Sequence, residues 1–143
     1  GVSQALHILN VGLAAGEETL VFDQPELHLN PKGQAGMADF AIAVATSQWA
    51  SQTRQVLVET HSDHFVNRIV RRVVAGEIKS DDVAVYFVTP SLHGPDVVPD
   101  VVSVEVDPTY GIKNWPFGFF DDYANDQAEI LRASIKRRSR EDE

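Results

Sequence analysis

The most constraining feature of this sequence is an apolar run, Leu20-Val21-Phe22, that ends in Asp23 and is followed by Gln24-Pro25-Glu26. A short run of branched and aromatic residues bounded by a proline is typical of a buried strand. Asn30-Pro31 then has the pattern of a helix start, with asparagine as the N-cap and proline in the first turn. The stretch therefore predicts a strand that carries the Asp23 carboxylate at its C-terminal tip, a turn and a helix.

Composition limits the functions open to the chain. Its 143 residues fit one domain, and 43% hydrophobic content is enough for a core. A net charge of -9 argues against a surface that binds nucleic acid over its whole extent, although a local basic patch remains open. The chain has no cysteine and no apolar run long enough for a membrane span, so we expect a cytosolic protein. Because it begins with Gly1 and has no basic leader, we also expect a piece of a longer protein.

Hydrophobic periodicity predicts four helices and four strands. The predicted helices cover residues 3–16, 31–50, 62–76 and 121–135, and the predicted strands cover residues 18–23, 55–59, 83–88 and 101–106. The second strand is continuously apolar, so we expect the first two strands to be buried on both faces and to pair in parallel across the helix between them. Residues 90–99 are expected to form a loop, residues 108–111 a turn, and residues 136–143 a charged tail that frays.

Three segments in order resemble the motifs of an ABC-type P-loop ATPase. Gly1-Val2-Ser3-Gln4 is similar to the signature motif, residues 23–31 are similar to the Walker B and D-loop region, and Glu59-Thr60-His61-Ser62 is similar to the switch-histidine region. The likeness is to bacterial ATPases related to chromosome-maintenance and overcoming-lysogenization proteins. Residues 115–121 resemble the WPxGFFD signature of one uncharacterised branch of them. The resemblance covers nearly the whole chain and implies an α/β fold, a three-layer P-loop NTPase-like sheet with helices on both faces.

The resemblance also implies roles for individual residues. Asp23 would hold Mg²⁺ through its water shell, and His61 would contact the γ-phosphate region of ATP. Ser3 and Gln4 would bind the phosphate held by a second copy of the protein, and Asn30 would contribute to nucleotide binding. The implied cofactors are Mg²⁺ and ATP, and the implied assembly is a nucleotide-sandwiched homodimer. DNA maintenance or phage defence would be its process, with DNA or a defence protein as its partner.

One departure from the ATPase pattern concerns the residue that activates water. Gln24 stands where the resemblance predicts a glutamate, and a neutral amide orients water but cannot accept its proton. Glu26 and Glu59 are the carboxylates that could replace it, and the sequence does not choose between them. The catalytic candidates are therefore Gln24, Glu26, Glu59 and His61. The alternative is a nucleotide-sensing scaffold with little or no hydrolysis.

The second departure is the lack of a Gly-x-x-x-x-Gly-Lys-Ser/Thr loop anywhere in the chain. The resemblance places the strand before that Walker A loop between the second and third predicted strands. Residues 1–135 would then be the C-terminal half of an ATPase domain. Residues 1–90 would hold the motifs, residues 91–135 the last strand and helix, and residues 136–143 the charged tail. We expect an N-terminal half with Walker A as partner, an active ATPase when the domain is complete, and no activity from this chain alone.

The histidines and acids also allow metal-binding interpretations. His28, His61 and His64 with Asp23 could bind zinc or manganese, although capping and solvent exposure explain these histidines equally well. A nuclease with a metal-binding acid pair is a further alternative. Its candidate acids would lie at positions 105 and 107, in a poor arrangement for that chemistry.

Two surfaces have competing interpretations. Arg68, Arg71 and Arg72 lie on one face of the third predicted helix and could contact DNA phosphates, but a solvated helix face is the commoner arrangement. The aromatic segment from Trp115 to Phe120 could be a protein-binding patch, but we expect most of it to cover the sheet core, with Gly118 allowing the backbone to turn.

Overall fold

The chain has a mixed α/β fold. In this computed structural model, residues 2–14, 19–46, 54–89, 99–116, 118–120 and 122–141 are described. In order, the elements are α1 (Val2–Ala14), β1 (Leu20–Asp23), α2 (Pro31–Ala45), β2 (Val56–Glu59), α3 (Asp63–Val74), a 3₁₀ turn (Ser80–Asp82), β3 (Val85–Thr89), β4 (Asp100–Val104), β5 (Val106–Asp107), β6 (Gly111–Ile112) and α4 (Asp122–Glu141). The predicted helix ends at Gly16 and Ala50, and the loop over residues 90–98, lie outside the described residues.

The chain divides into two compact units. The first unit comprises residues 1–82 and 106–111, and the second comprises residues 83–105 and 112–143. Their limits differ from the predicted segments 1–90 and 91–135.

The first unit is built on a parallel strand pair, as the sequence predicts. β1 and β2 pair in a register that runs from Leu20 opposite Val56 to Asp23 opposite Glu59. α2 connects them, and it begins where expected, because Asn30 caps it by accepting a hydrogen bond from the Gly33 amide at 2.9 Å. Both strands therefore end at the same edge of the pair, where the chain turns toward α2 and α3.

Helices α1, α2 and α3 contribute apolar side chains to the core on one side of this strand pair. Leu20 and Phe22 of β1 are buried with Val44 of α2. Phe65 of α3 is buried in a second cluster, whose other fully buried members belong to α2. Those members are Met37, Ala38 and Ala41. The small alanines let α3 pack closely on α2.

The opposite face of the strand pair corrects the expectation that both strands are buried on both faces. Val21 is 71% exposed and Leu57 is 48% exposed, because the described helices of this unit pack on the face that carries Leu20 and Phe22. A second helical layer, which a three-layer sheet requires, is not seen among the described residues. The middle residue of the continuous apolar run in β2, Leu57, therefore lies at the surface.

α1 packs against α2 through a position that has no room for a side chain. A Cβ atom at Gly12 would lie 2.5 Å from Cζ of Phe40, so only glycine permits this approach. Arg54, just before β2, donates from Nη1 to the Gly12 carbonyl at 3.1 Å. α1 is thereby anchored both to α2 and to the residue that leads into β2.

Two of the three arginines predicted to lie on one face of α3 form ion pairs with α2. Arg68 and Arg72 each pair with Asp39 of α2, through Nη1 and Nε respectively, and only Arg71 is exposed. The hydrogen bond from Arg72 lowers the pKa of Asp39 below its ordinary value of 3.8, against the opposing effect of partial burial, and the charge of Arg68 contributes. Arg68 and Arg72 therefore join two helices, and Arg71 is the member of the three that remains exposed to solvent.

The second unit contains an antiparallel ribbon and an aromatic cluster. β3 pairs with β4 from Val85 opposite Val104 to Thr89 opposite Asp100. Phe119 is 4% exposed, and its ring contacts three other rings edge-on or tilted, at centroid distances of 4.7 to 5.3 Å. Those rings belong to Phe87, Trp115 and Phe120. Gly118, at a φ of +80°, turns the backbone so that Phe119 points inward, as expected from the sequence.

The last helix corrects a smaller expectation. α4 continues to Glu141, so residues 136–141 are helical where we expected a frayed tail. A hydrogen bond between the Arg132 and Glu129 side chains at 2.7 Å supports its middle turn. Among the described helices, none combines the length and hydrophobicity that a membrane span requires.

Candidate functional site

The tips of β1 and β2 place two carboxylates next to each other. Asp23 and Glu59 are the last residues of the two strands and lie opposite each other in the register. Paired residues of parallel strands share a face of the sheet, so both side chains lie on the exposed face with Val21 and Leu57. The outcome is an accessible acidic edge, of the kind that can hold a divalent cation with one or two carboxylates and complete its shell with water and phosphate oxygens.

Gln24 follows Asp23 in a backbone conformation that is rare for a residue with a side chain. Its φ is +44°, and its amide donates to the Glu59 carbonyl at 2.8 Å, which extends the strand pairing by one bond. Its carbonyl accepts from the Leu27 amide at 3.0 Å and closes a turn. The half-buried side chain offers an amide donor and acceptor but no proton-accepting group.

Glu26 is a buried carboxylate that reaches across to the loop after β2. It is 5% exposed, and its Oε1 accepts from the Thr60 hydroxyl at 2.5 Å and from the His61 amide at 3.2 Å. Its Oε2 is also buried and accepts no hydrogen bond from the described residues. The turn after β1 and the loop after β2 are therefore joined at Glu26.

Ser62 makes a second connection between these two segments. Its hydroxyl accepts from the Phe65 amide at 3.0 Å, which caps α3 as predicted, and donates to Oε1 of Gln34 at 2.7 Å. Gln34 in turn donates to the Leu29 carbonyl at 3.0 Å. The Ser62 amide donates to the Thr60 hydroxyl at 3.1 Å, so the two connections form one network.

A cleft of about 210 Å³ opens beside this network. Its lining residues are Gln24, Glu26, Leu27, His28, Gln34, His61, Ser62 and Asp63. Of the residues predicted for catalysis, three line this cleft and Glu59 lies at the neighbouring strand tip with Asp23. Asn30 uses its side chain to cap α2, and the side chains of Ser3 and Gln4 lie outside the described residues.

The histidines do not form the metal cluster considered as an alternative. His28, His61 and His64 are all exposed, and His64 lies 3.7 Å from its neighbour Asp63. Within the described part of the chain, no group of three or more histidines and acids is arranged to hold a metal ion. That interpretation is therefore wrong. A magnesium ion is a different case, because it needs few protein ligands and retains much of its water.

Thr60 and Gln34 are the polar residues of the site that sequence analysis missed. Thr60 lies inside the segment Glu59-Thr60-His61-Ser62, so its position could have suggested it. For Gln34, the sequence shows only a polar residue near the start of α2, which does not indicate a role in the site. In both cases the partner lies at least 28 positions away along the chain, and only the packing of the two loops identifies it.

Comparison with known proteins adds information on the second half of the chain. Residues 78–130 match a family described as "Protein of unknown function (DUF3696)". The chain is similar to that family over a little more than a third of its length. The matched segment includes β3, β4 and the aromatic residues around Phe119, and it contains none of the candidate site residues. No curated protein and no solved structure matches the chain.

Proposed function

We propose that the chain is part of an ABC-type P-loop ATPase that binds MgATP and catalyses attack of water on the γ-phosphate. The observation that carries the proposal is the shared edge of β1 and β2, where Asp23 and Glu59 are paired and the next residue, Gln24, lines the same cleft as His61. In nucleotide-binding α/β sheets, the ligand lies at the carboxyl ends of parallel strands. The order of the three motifs along the sequence supports the same assignment.

Each residue at the edge has a proposed task. Asp23 holds Mg²⁺, which neutralises charge on the phosphates when it is bound. His61 donates a hydrogen bond toward the γ-phosphate, and Gln24 orients the attacking water. Glu59 accepts the proton from that water, because its carboxylate is exposed at the strand tip while Glu26 is buried.

The proposal includes a larger sheet than the described strand pair. Val21 and Leu57 present an apolar face, and an exposed apolar face commonly marks a contact with further structure. We propose that a segment with a Walker A loop completes the three-layer sheet, and that Ser3 and Gln4 act on the nucleotide of a second copy. DNA maintenance or phage defence is the proposed process.

The test is ATP turnover by the natural full-length protein that contains these residues. Asp23→Ala should lower turnover by about 100-fold, because a charge-stabilising group in the site is lost. Asp81→Ala is the matched control, since Asp81 is also an exposed aspartate but lies in the 3₁₀ turn. Equal turnover by Asp23→Ala and wild type would exclude Asp23 from the reaction.

The second candidate is a nucleotide sensor that holds ATP without hydrolysing it. Gln24 favours this function, because it lies at the strand tip with a side chain that cannot accept a proton. Gln24→Glu should then raise hydrolysis by about 100-fold or more. Brisk turnover by the wild type, unchanged by this substitution, would exclude the sensor.

A further inference from the structure

We infer that Glu26 is a positioning residue that fixes His61, and that it is not the base that activates water. The role of His61 itself rests on the proposed function. The placement of Glu26 rests only on its burial and its hydrogen bonds. Glu26 and Glu59, which the sequence left as equal candidates for the base, thus receive different roles.

One carboxylate oxygen of Glu26 holds the Thr60-His61 segment in place through hydrogen bonds. Oε1 accepts two hydrogen bonds, from the Thr60 hydroxyl and from the His61 amide. Thr60 accepts in turn from the Ser62 amide, and Ser62 caps α3. The His61 backbone is thus held between Glu26 on one side and the start of α3 on the other. Removal of the Glu26 side chain would release the first of these two restraints.

Glu26 is also less accessible to water than Glu59. Oε1 is occupied by two donors, and Oε2 is buried. A general base must come within hydrogen-bond distance of the water that it deprotonates. Glu59 is exposed at the strand tip, whereas Glu26 is 5% exposed and holds the Thr60-His61 segment, so we assign the base to Glu59.

The substitution Glu26→Gln distinguishes a positioning role of Glu26 from a role as the general base. Glutamine retains one side-chain oxygen in the position of Oε1, and its amide nitrogen replaces Oε2, which has no hydrogen bond to the described residues. Both bonds to the Thr60-His61 segment can therefore survive. A positioning role tolerates this change, but a base loses its proton-accepting group.

The first experiment measures amide hydrogen exchange of His61 and Ser62 by NMR in the natural full-length protein, without nucleotide. Glu26→Ala should speed exchange at His61 by about 10-fold, as expected for loss of one hydrogen bond, while Glu26→Gln should leave it within about 2-fold of wild type. Thr60→Val should speed exchange at Ser62, and Thr60→Ser, which keeps the hydroxyl, should not. Glu129→Ala in α4 is the acid-to-alanine control. Unchanged exchange at His61 in Glu26→Ala would overturn the inference.

The second experiment measures steady-state ATP hydrolysis in the natural full-length protein. Glu26→Gln should retain kcat, and Glu26→Ala should lower kcat by about 10-fold with little change in KM, because a mispositioned His61 acts mainly in the transition state. Equal loss of kcat in both variants would identify Glu26 as a base and overturn the inference. If Asp23→Ala leaves turnover unchanged, the proposed ATPase mechanism fails, but the exchange measurement still decides whether Glu26 positions His61.

Discussion

The loops at the strand tips of the first unit and the aromatic segment of the second unit are held in place by different forces. In the first unit, Glu26 and Ser62 fix the loops through directional hydrogen bonds to named atoms. In the second unit, Phe119 is fixed by ring contacts that exclude water. Hydrogen bonds specify where each polar group points, whereas apolar packing chiefly stabilises the fold. The aromatic segment therefore has a structural role, while the loops are where the proposed site is tested.

The largest expected effect tests the structural role of the aromatic segment. Phe119→Ala should destabilise the second unit by about 3–5 kcal/mol, because it removes a buried ring and leaves a cavity. Urea unfolding followed by fluorescence measures this, in a Trp49→Phe background so that Trp115 is the remaining tryptophan. Val101→Ala, at an exposed position of β4, should change stability by less than about 0.5 kcal/mol. Equal effects of the two substitutions would contradict the assigned role of Phe119.

The next effect tests the hydrogen bonds of the loops. Ser62→Ala should destabilise the first unit by about 1–2 kcal/mol, since it removes both the cap of α3 and the bond to Gln34. Asn30→Ala is the matched control, because Asn30 is an exposed cap of α2 and should cost about 1 kcal/mol or less. Circular dichroism during urea unfolding measures both. If Ser62→Ala costs no more than Asn30→Ala, then the bond to Gln34 does not stabilise the loops.

A third prediction concerns the ion pairs of Asp39 with Arg68 and Arg72, which join α2 and α3. The pKa of Asp39 is lowered in the folded state, mainly by the hydrogen bond from Arg72, so the stabilisation is present above the ordinary value of 3.8. It is lost as pH falls below 3.8 through the lowered pKa of the folded state. Asp39→Asn should therefore cost about 1 kcal/mol at neutral pH and progressively less in acid. Thermal unfolding at several pH values measures this, and a cost that stays constant into acid would contradict the ion-pair explanation.

The smallest effect tests whether α2 is an ordinary helix away from the site. Gly36 is exposed in the interior of α2, and a Cβ atom there would meet nothing within 4 Å. Gly36→Ala should therefore stabilise the chain by about 0.5 kcal/mol, through better helix propensity. Thermal unfolding measures the change. Destabilisation instead would mean that this face of α2 needs glycine for a contact.

Local sequence patterns were enough to locate most of the elements. The apolar run before Asp23, the Asn30-Pro31 start of α2 and the Ser62 cap of α3 each depend on residues within a few positions of one another, and each matches the structure. The end of α4 was missed, because the charged residues after Ile135 indicate exposure without indicating where a helix stops.

The sequence by itself determined which residues stand at the strand tips, since an acid after an apolar run needs no long-range information. Only the tertiary structure decided what those residues contact. Glu26 meets Thr60, and Asp39 meets two arginines of α3, across 29 to 34 positions of chain. Such pairs depend on how helices and loops pack, and no periodicity encodes them. For the same reason, Glu26 and Glu59 were equivalent candidates in the sequence and became distinct only when one was found buried and the other exposed.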